Sequence, residues 1–189
     1  MENYKKLNHF ITPKTILMKH PVNIELVERE IGFPCIIKCI SGSQGKGVFI
    51  AETKKEFKQQ LNILKAVNEN HNIIIQEFIK SSYGKDLRVY VLGGKPIACM
   101  LRKSSDGDFK ANISNGGVGE LFEINDEIYW LSVEATRVTG LDIAGVDLLF
   151  DESGYKLCEV NSNPGFKGLE KYTDVNIAQQ IFDWIKIKG

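Results

Sequence analysis

The sequence predicts an α+β fold made of two lobes. Two segments are typical of antiparallel hairpins, one turning at Gly93-Gly94 and the other near Gly154. Helical segments are interleaved with these hairpins, whereas a parallel sheet would require a regular alternation of single strands and helices. The chain of 189 residues is long enough for one domain or for two small lobes, and we place the lobe boundary near residues 78–84.

The first lobe is predicted over residues 20–79, after an entry segment over residues 1–19. The entry segment begins as a short helix fragment and becomes extended at TPKT, around Pro13. The lobe then contains, in chain order, a helix at NIELVEREIG, strands at PCIIKCI and VFIAE, a helix at TKKEFKQQLNILKAV and a strand at NIIIQEFI. Gly32 is a suitable stop for the first helix and Thr53 a suitable N-cap for the second, while β-branched runs indicate the strands.

The second lobe is predicted over residues 80–189. Its elements are a hairpin at DLRVYVLGGKPIACMLR, a helix at EIYWLSVEATRVTG, a hairpin at IAGVDLLFDESGYKLCEVN and a closing helix at DVNIAQQIFDWIKIK. The paired glycines Gly93-Gly94 suit a tight turn, and Gly140 ends the first of the two helices.

Composition excludes several classes of function. The chain carries 24 Lys+Arg and 24 Asp+Glu, which argues against general electrostatic binding to nucleic acid or to an anionic membrane. No apolar run approaches the roughly 20 residues of a transmembrane helix, and the N-terminal residues lack the apolar core of a signal peptide. The four cysteines fit no zinc spacing, so we expect buried, reduced thiols in a cytoplasmic protein.

The stretch CEVNSNPGFKGLE places oxygen-bearing side chains at alternating positions of a predicted strand. Residues two apart share a face, so Glu159, Asn161 and Asn163 are expected to line one face until Pro164 and Gly165 end the strand. Buried core strands carry apolar residues at such positions. The pattern therefore indicates a polar or ionic partner opposite this face.

The register of the second hairpin brings further oxygen ligands to this face. A three-residue loop at Glu152-Ser153-Gly154 would set Asp147 opposite Glu159 and Gly145 opposite Asn161. Directly opposed carboxylates, with Cβ atoms about 5 Å apart, repel each other unless a cation lies between them. Asp147, Glu159 and Asn161 are hard oxygen ligands that suit Mg²⁺ or Mn²⁺. The alternative is a solvated outer face of the hairpin.

A glycine-rich loop between two predicted strands is suited to phosphate. It consists of Gly42, Ser43, Gln44, Gly45, Lys46 and Gly47. Its glycines permit positive φ and let backbone N–H groups approach an anion closely. A Walker A loop and a dinucleotide-binding fingerprint would both be followed by a helix, whereas VFIAE is a strand. We interpret the loop as a lid over phosphates, and an ordinary glycine-rich turn is the alternative.

Other polar residues interrupt apolar strands. Lys38 interrupts the apolar strand PCIIKCI, so we expect its side chain to point inward and to need an anionic partner. The alternative is a lysine on the solvated face of an edge strand. Gln76 and Glu77 end an apolar strand, which suits a pocket for adenine and ribose or an ordinary strand end. Basic residues of the second lobe, together with the amide-rich NISNGG turn, suggest a site for anions and carboxylates; each alone is typical of a surface charge. They are Lys85, Arg88, Arg102, Lys103 and Lys110.

In their order, these motifs resemble the ATP-grasp superfamily, specifically the RimK-type α-L-glutamate ligases. The resemblance is carried by IIKCISGSQGKGVFIAE, IIIQEFI, GKDLRVYVLGGKPIACMLR, DFKANISNGG, IAGVDLLF and CEVNSNPGFKGLE. It implies two α+β lobes whose antiparallel sheets clamp ATP between them. It also implies a carboxylate–amine ligase that forms an acyl phosphate and then an amide, with ATP and two Mg²⁺ or Mn²⁺ as cofactors.

The resemblance also implies roles for single residues. It implies that Lys38 and the Gly42–Gly47 loop bind the phosphates of ATP, and that the segment Gln76, Glu77, Phe78 and Ile79 forms the adenine hinge. It also places Asp86 near the ribose. Lys110 takes a nucleotide-contacting position that is often Arg in the family. Asp147, Glu159 and Asn161 match the metal ligands. Arg102 matches the arginine that steadies the transferring phosphoryl group, and Arg88 and Asn163 complete the predicted catalytic set. A further ATP lysine is Lys5 or Lys6.

The expected reaction adds an amino acid, glutamate by resemblance, to an acceptor carboxylate on a small molecule, a peptide or a protein. Family members carry an additional N-terminal domain of roughly a hundred residues. The chain is therefore interpreted as a fragment, a short member, or a subunit whose homo-oligomer or partner supplies that domain. The alternatives to a ligase are a nucleotide-binding module without ligase activity and a phosphotransferase on the same scaffold.

Overall fold

The structure is a computed structural model that describes residues 11–40, 47–70, 72–111, 113 and 116–188. It divides into two compact units, one of residues 12–80 and one of residues 81–188 together with Ile11. Each unit is built on one antiparallel sheet with helices. The predicted α+β class is confirmed.

The first unit holds a four-stranded sheet with the strand order β1-β4-β2-β3. Its elements are β1 (Thr15–Met18), α1 (Ile24–Glu30), β2 (Cys35–Cys39), β3 (Val48–Ala51), α2 (Lys54–Val67) and β4 (Ile73–Glu77). Thr53 caps α2 by accepting a hydrogen bond from the backbone N–H of Glu56 at 3.2 Å, as predicted. One face of the sheet packs on both helices through Val27 of α1 and Phe57 of α2.

Strand β1 was not predicted as a strand. It pairs antiparallel with β4, with Thr15 opposite Gln76 and Met18 opposite Ile73. Four residues alternating between exposed and half-buried positions carry too little pattern to distinguish a short edge strand from an extended segment.

The second unit holds a five-stranded sheet with the order β7-β6-β5-β8-β9. Its elements are β5 (Lys85–Leu92), β6 (Lys95–Lys103), β7 (Val118–Leu121), α3 (Asp126–Thr139), β8 (Ile143–Asp151), β9 (Gly154–Asn161), α4 (Lys167–Thr173) and α5 (Ile177–Lys188), preceded by a short 3₁₀ helix (Lys80–Ser82). Strand β7 and helix α4 were not predicted. The strand is four residues long and mostly exposed, and the helix has only seven residues.

The two faces of this sheet have different partners. Leu87, Val89 and Val146 pack with Ile128 and Leu131 of α3 on one face. On the other face, Tyr90 and Met100 pack with Leu169 of α4 and Ile177 of α5. Asp86 and Arg88 also lie on this second face, because they alternate with the core residues Leu87 and Val89 of their strand.

The predicted turn of the second hairpin is wrong, although the predicted pairing beyond it is confirmed. The loop has two residues, because Asp151 is paired with Gly154. The register then shifts by one residue at Cys158, an irregularity typical of a β-bulge. This shift restores Asp147 opposite Glu159 and Gly145 opposite Asn161.

The prediction of buried cysteines has a mixed outcome. Cys35 and Cys99 are buried free thiols, and burial raises the pKa of each to about 12. Cys39 and Cys158 are only half-buried, so the expectation of buried thiols is wrong for them. None of the described helices is both long and apolar enough to cross a bilayer.

Candidate active site

Strands β5, β6 and β8 bring four charged side chains together on the second face of the five-stranded sheet. Asp86 is directly opposite Arg102, and Arg88 is directly opposite Asp147. Asp86 and Arg88 are two residues apart on β5, so the two pairs are adjacent on the same face. We call Asp86, Arg88, Arg102 and Asp147 the charged cluster.

The cluster is a continuous network of charge-assisted hydrogen bonds. Arg88 donates through Nε and Nη2 to the two carboxylate oxygens of Asp147, with an Nη2–Oδ2 distance of 2.7 Å. Arg102 donates from Nε and Nη2 to the two oxygens of Asp86, at 2.6 and 2.8 Å. Nη2 of Arg102 also lies 2.9 Å from Oδ2 of Asp147. Asp147 therefore joins both arginines.

The cluster is removed from water, which strengthens its electrostatics. The side chains of Arg102 and Asp147 are only 7% and 9% exposed. Burial by itself lowers the pKa of Arg102, but the carboxylates of Asp147 and Asp86 outweigh burial and raise it. Burial raises the pKa of Asp147, and Arg102 and Arg88 reverse this effect and hold it below its usual value. Burial also raises the pKa of Asp86, and the charge of Arg102 opposes this rise without reversing it. The network therefore holds Arg102 and Asp147 in their charged forms.

Gly145 provides the space in which Arg88 lies. It is opposite Asn161 on one side and Tyr90 on the other. A Cβ atom at Gly145 would lie 2.7 Å from the Cβ atom of Pro164 and 3.1 Å from Nη1 of Arg88. A side chain at position 145 would displace Pro164 and Arg88. Because glycine has none, Arg88 can lie against the sheet.

We expect Gly145→Ala to lower the free energy of unfolding by about 1–3 kcal/mol, because it overpacks a filled region. Gly165→Ala is the matched control, since a Cβ atom at Gly165 would meet no atom within 4 Å. Urea unfolding of both variants gives the comparison. Equal stabilities of the two variants would contradict the close packing of Gly145 against Arg88 and Pro164.

The predicted metal ligands lie beside the charged cluster. Asp147 and Glu159 form a cross-strand pair, and Asn161 follows two residues further along β9. Asp147 is buried, so the alternative of a solvated hairpin face is wrong for it, whereas Glu159 is exposed. Two carboxylates and an amide oxygen on one face fit a hard divalent cation. The described part of the chain contains no cluster of three or more His, Cys, Asp or Glu residues suited to metal. The proposed set differs from such a cluster because it has two carboxylates and one amide.

The predicted stripe of ligands ends earlier than the sequence indicates. Strand β9 ends at Asn161, so strand alternation does not orient Asn163, which is exposed. The backbone N–H of Asn163 donates to Oδ1 of Asn161 at 2.9 Å. This turn competes with continuation of the strand, which is why the expectation that the strand extends to Pro164 is wrong.

In the first unit, Lys38 and Gln76 share a sheet face. Lys38 is opposite Ile74 and Val48, and Gln76 is opposite Ile36 and Thr15. This face is opposite the helix-packed core, so the expectation that Lys38 points inward is wrong, because Cys35 and Ile37 take the core positions. The edge-strand alternative is also wrong, since β2 lies between β4 and β3.

The predicted adenine hinge begins at the end of β4. Gln76 is buried, and its Nε2 donates to Oγ1 of Thr15 at 3.0 Å. Glu77 accepts a hydrogen bond from the backbone N–H of Lys14 at 3.0 Å. Phe78 is half-buried and Ile79 buried. The segment is thus held against the chain just before β1.

The glycine-rich loop is described only at its last residue. Gly47 has φ +83°, which favours glycine, and its carbonyl accepts a hydrogen bond from the N–H of Cys39 at 3.0 Å. Gly42, Ser43, Gln44, Gly45 and Lys46 lie outside the described residues, as do Lys5 and Lys6. Lys110 follows β6, and its Nζ lies 3.8 Å from Asp108 and 5.3 Å from the ring centre of Phe109.

Sequence reasoning missed two features of the site. It assigned Asp86 to the ribose and did not find its bond to Arg102, and it gave Gly145 no role. The predicted hairpin at Gly93-Gly94 already indicated that Asp86 and Arg102 lie on paired strands. A regular two-residue turn would place Asp86 opposite Leu101, and the register shift between Tyr90 and Val91 moves the pairing to Arg102.

Comparison with known proteins gives a consistent result. A family model described as RimK-like ATP-grasp domain matches residues 6–185. A probable alpha-L-glutamate ligase from Parasynechococcus marenigrum (strain WH8102) is 42% identical over 164 residues, covering 87% of this chain and 35% of that protein. A relative of the same name from Vibrio vulnificus (strain YJ016) is 37% identical over 175 residues, covering 92% and 58%.

A solved structure matches the fold over nearly the same extent. The ATP-grasp ligase PsnB, complexed with a phosphomimetic variant of a minimal precursor, Mg and ADP, aligns with a TM-score of 0.71 and 23% identity, covering 94% of this chain and 54% of that chain. At this identity the likeness concerns the fold alone. The chain spans less than two thirds of the length of PsnB and of either curated relative.

Proposed function

The chain belongs to the RimK-like ATP-grasp family, and from this premise we propose that it carries the nucleotide and metal residues of an ADP-forming carboxylate–amine ligase. The observation that carries the proposal is the charged cluster, in which a buried Arg102 contacts Asp147, directly opposite Glu159. Arginine side chains next to carboxylate ligands for a metal suit phosphoryl transfer, because that reaction depends on the positioning of the reactants and on neutralisation of the phosphate charge.

The proposed reaction has two steps that balance without a redox partner. An oxygen of the acceptor carboxylate attacks the γ-phosphorus of ATP, which gives an acyl phosphate and ADP. The amine nitrogen then attacks the acyl carbon, phosphate leaves with the bonding electrons, and the nitrogen loses a proton. No histidine base is required, in keeping with a chain whose three histidines are scattered.

We assign the residues of the second unit as follows. Asp147, Glu159 and Asn161 would hold the divalent cations, Mg²⁺ or Mn²⁺, which supply positive charge to the phosphates when bound. Arg102 binds its two carboxylates through Nε and Nη2, and we assign Nη1 to the transferring phosphoryl group. Arg88 holds Asp147 against the sheet, and Asn163 lies next to the metal ligands at the end of β9.

The nucleotide ligands of the proposal lie mostly in the first unit. Lys38 and the loop from Gly42 to Gly47 bind phosphates, and the segment from Gln76 to Ile79 binds adenine. Lys110 of the second unit adds a nucleotide contact, and Asp86 is the neighbour of the ribose that family resemblance implies. The relatives named alpha-L-glutamate ligase support glutamate as the amino acid that is added. The acceptor of the proposal is a carboxylate on a small molecule, a peptide or a protein.

Hydroxylamine trapping tests the proposal. The protein with ATP, Mg²⁺ and a panel of amino acid and peptide carboxylates is expected to form a hydroxamate without any added amine, because hydroxylamine intercepts an acyl phosphate. Glu159→Gln should abolish the product, since it removes one of the two opposed carboxylates. Glu152→Gln, in the turn of the same hairpin, is the matched control and should retain activity.

Two results would contradict the ligase assignment in different ways. A stable phosphorylated hydroxyl product would replace the ligase with a phosphotransferase. Mg-dependent ATP binding without ADP release for any acceptor in the panel would favour a nucleotide-binding module. The products are identified by mass spectrometry.

A further inference from the structure

Arg102 binds Asp86 more closely than it binds Asp147. Asp86 accepts from Nε at 2.6 Å and from Nη2 at 2.8 Å, so two parallel hydrogen bonds join two planar groups. The two residues are directly opposed on β5 and β6. Their side chains are 17% and 7% exposed, so water competes little for either group.

A bidentate pair sets the plane of a guanidinium as well as neutralising its charge. Arg102 reaches its position through a long, rotatable side chain, and two bonds to one carboxylate remove the rotation of its planar end. The same Nη2 atom contacts Asp147 at 2.9 Å, so Asp86 also sets how Arg102 meets the predicted metal ligand. Because the guanidinium is planar, holding Nε and Nη2 in this way also fixes the direction in which Nη1 points.

We propose that Asp86 is a positioning residue that acts through Arg102, aligning its guanidinium for the transferring phosphoryl group. This inference rests on the proposed function, which assigns that contact to Arg102. It differs from the role implied by family resemblance, in which Asp86 acts as a ligand of the ribose. A positioning residue alters turnover through Arg102, whereas a ribose ligand alters nucleotide affinity and discrimination among sugars.

Nuclear magnetic resonance tests the bond itself without any substrate. The chain has four arginines, at positions 29, 88, 102 and 137, so an arginine-labelled sample gives four Nε–Hε signals that single variants assign. Arg29 and Arg137 are 71% and 67% exposed, so slow hydrogen exchange is expected only at the two cluster arginines. Asp86→Asn keeps the shape but loses the charge and one acceptor, and should shift the Arg102 signal and speed its exchange.

Asp142→Asn is the matched control for this experiment. Asp142 is an aspartate of the same unit paired with Lys188, and its side chain is 57% exposed. Its replacement should leave the Arg102 signal unchanged. An unaltered Arg102 signal in Asp86→Asn would overturn the proposal.

Turnover measurements separate positioning from ribose binding. In the hydroxamate assay, Asp86→Asn should lower the rate about a hundredfold, the order expected when a catalytic group is misplaced by about 1 Å. The rate should fall by the same factor with ATP and with 2′-deoxy-ATP. The affinity of the variant for ATP should be close to that of the wild type. A weakened ATP affinity together with lost discrimination between the two nucleotides would instead make Asp86 a ribose ligand.

A double-mutant cycle distinguishes action through Arg102 from general loss of stability. In an Arg102→Lys background, Asp86→Asn should cost little further turnover, because the group that it positions is already altered. Additive losses would overturn the proposal. Asp86→Glu keeps the charge and moves the carboxylate by one methylene, so it serves if Asp86→Asn does not fold, and it should also reduce turnover with ATP binding retained.

Failure of this inference differs from failure of the proposed function. An active wild type with an Asp86→Asn variant of normal turnover would reject the positioning role alone. A wild type that forms no hydroxamate with any carboxylate would reject the ligase, and the Arg102 signal would then decide whether Asp86 orients the guanidinium.

Discussion

Replacing Asp147 with alanine is expected to lower the free energy of unfolding by about 3–5 kcal/mol, the range measured when one partner of a buried ion pair is removed. Arg88 donates to both oxygens of Asp147, and Arg102 contacts the same carboxylate at 2.9 Å. Without Asp147, the guanidinium groups of the half-buried Arg88 and the buried Arg102 have only Asp86 as an acidic neighbour within the cluster. Urea unfolding monitored by circular dichroism measures the loss.

Asp142→Ala provides the comparison for an exposed pair. Asp142 and Lys188 have side chains that are 57% and 56% exposed, and such pairs contribute about 1 kcal/mol or less. A loss for Asp147→Ala that is no larger than the loss for Asp142→Ala would mean that the charged cluster is solvated, and the site as described would then be wrong.

Replacing Arg102 with lysine is expected to reduce turnover by about a hundredfold or more while ATP affinity stays nearly unchanged. Removing one donor that stabilises transition-state charge commonly has an effect of this size. Lysine keeps the positive charge but cannot form the fork to Asp86, so the change removes geometry rather than charge. Hydroxamate formation and calorimetry with a non-hydrolysable ATP analogue measure the two quantities.

Arg137→Lys is the matched control, since Arg137 is 67% exposed on α3 and is paired with Glu134. It should behave like the wild type in both measurements. If Arg102→Lys weakens ATP binding as much as it slows turnover, Arg102 contributes to ground-state binding and the role in phosphoryl transfer is wrong.

Much of the fold followed from patterns within single segments. The alternation of Leu87, Val89 and Val91 along β5 identifies the core face of the strand, and Asp86 and Arg88 lie on the opposite face. The helix cap Thr53 and the helix stop Gly140 were also correct. These features depend on local backbone preferences and on the period of the hydrophobic pattern, which a single sequence contains.

Short elements were harder to predict. Strands β1 and β7 have four residues each, and α4 has seven. Their patterns are too brief to show a period, and their positions depend on neighbours that are distant in sequence, as when β1 pairs with β4. The predicted face of Lys38 was wrong because it depends on which face of the sheet the helices cover. The strand predicted to continue past Asn161 was too long because its end depends on a turn.

The sequence by itself determined which residue types are available for chemistry and on which strands they lie: two carboxylates and an amide on β8 and β9, and two arginines on β5 and β6. The tertiary structure decided which of them meet. In both hairpins, a two-residue turn is followed by a one-residue register shift, near Ile97 and at Cys158.

These shifts set Arg102 opposite Asp86 and restore Glu159 opposite Asp147. Pro96, which has no N–H group to donate to a strand ladder, lies next to the register shift of the first hairpin. Because one residue of register exchanges the partners across a sheet, the network of Asp86, Arg102 and Asp147 exists only once the strands have paired.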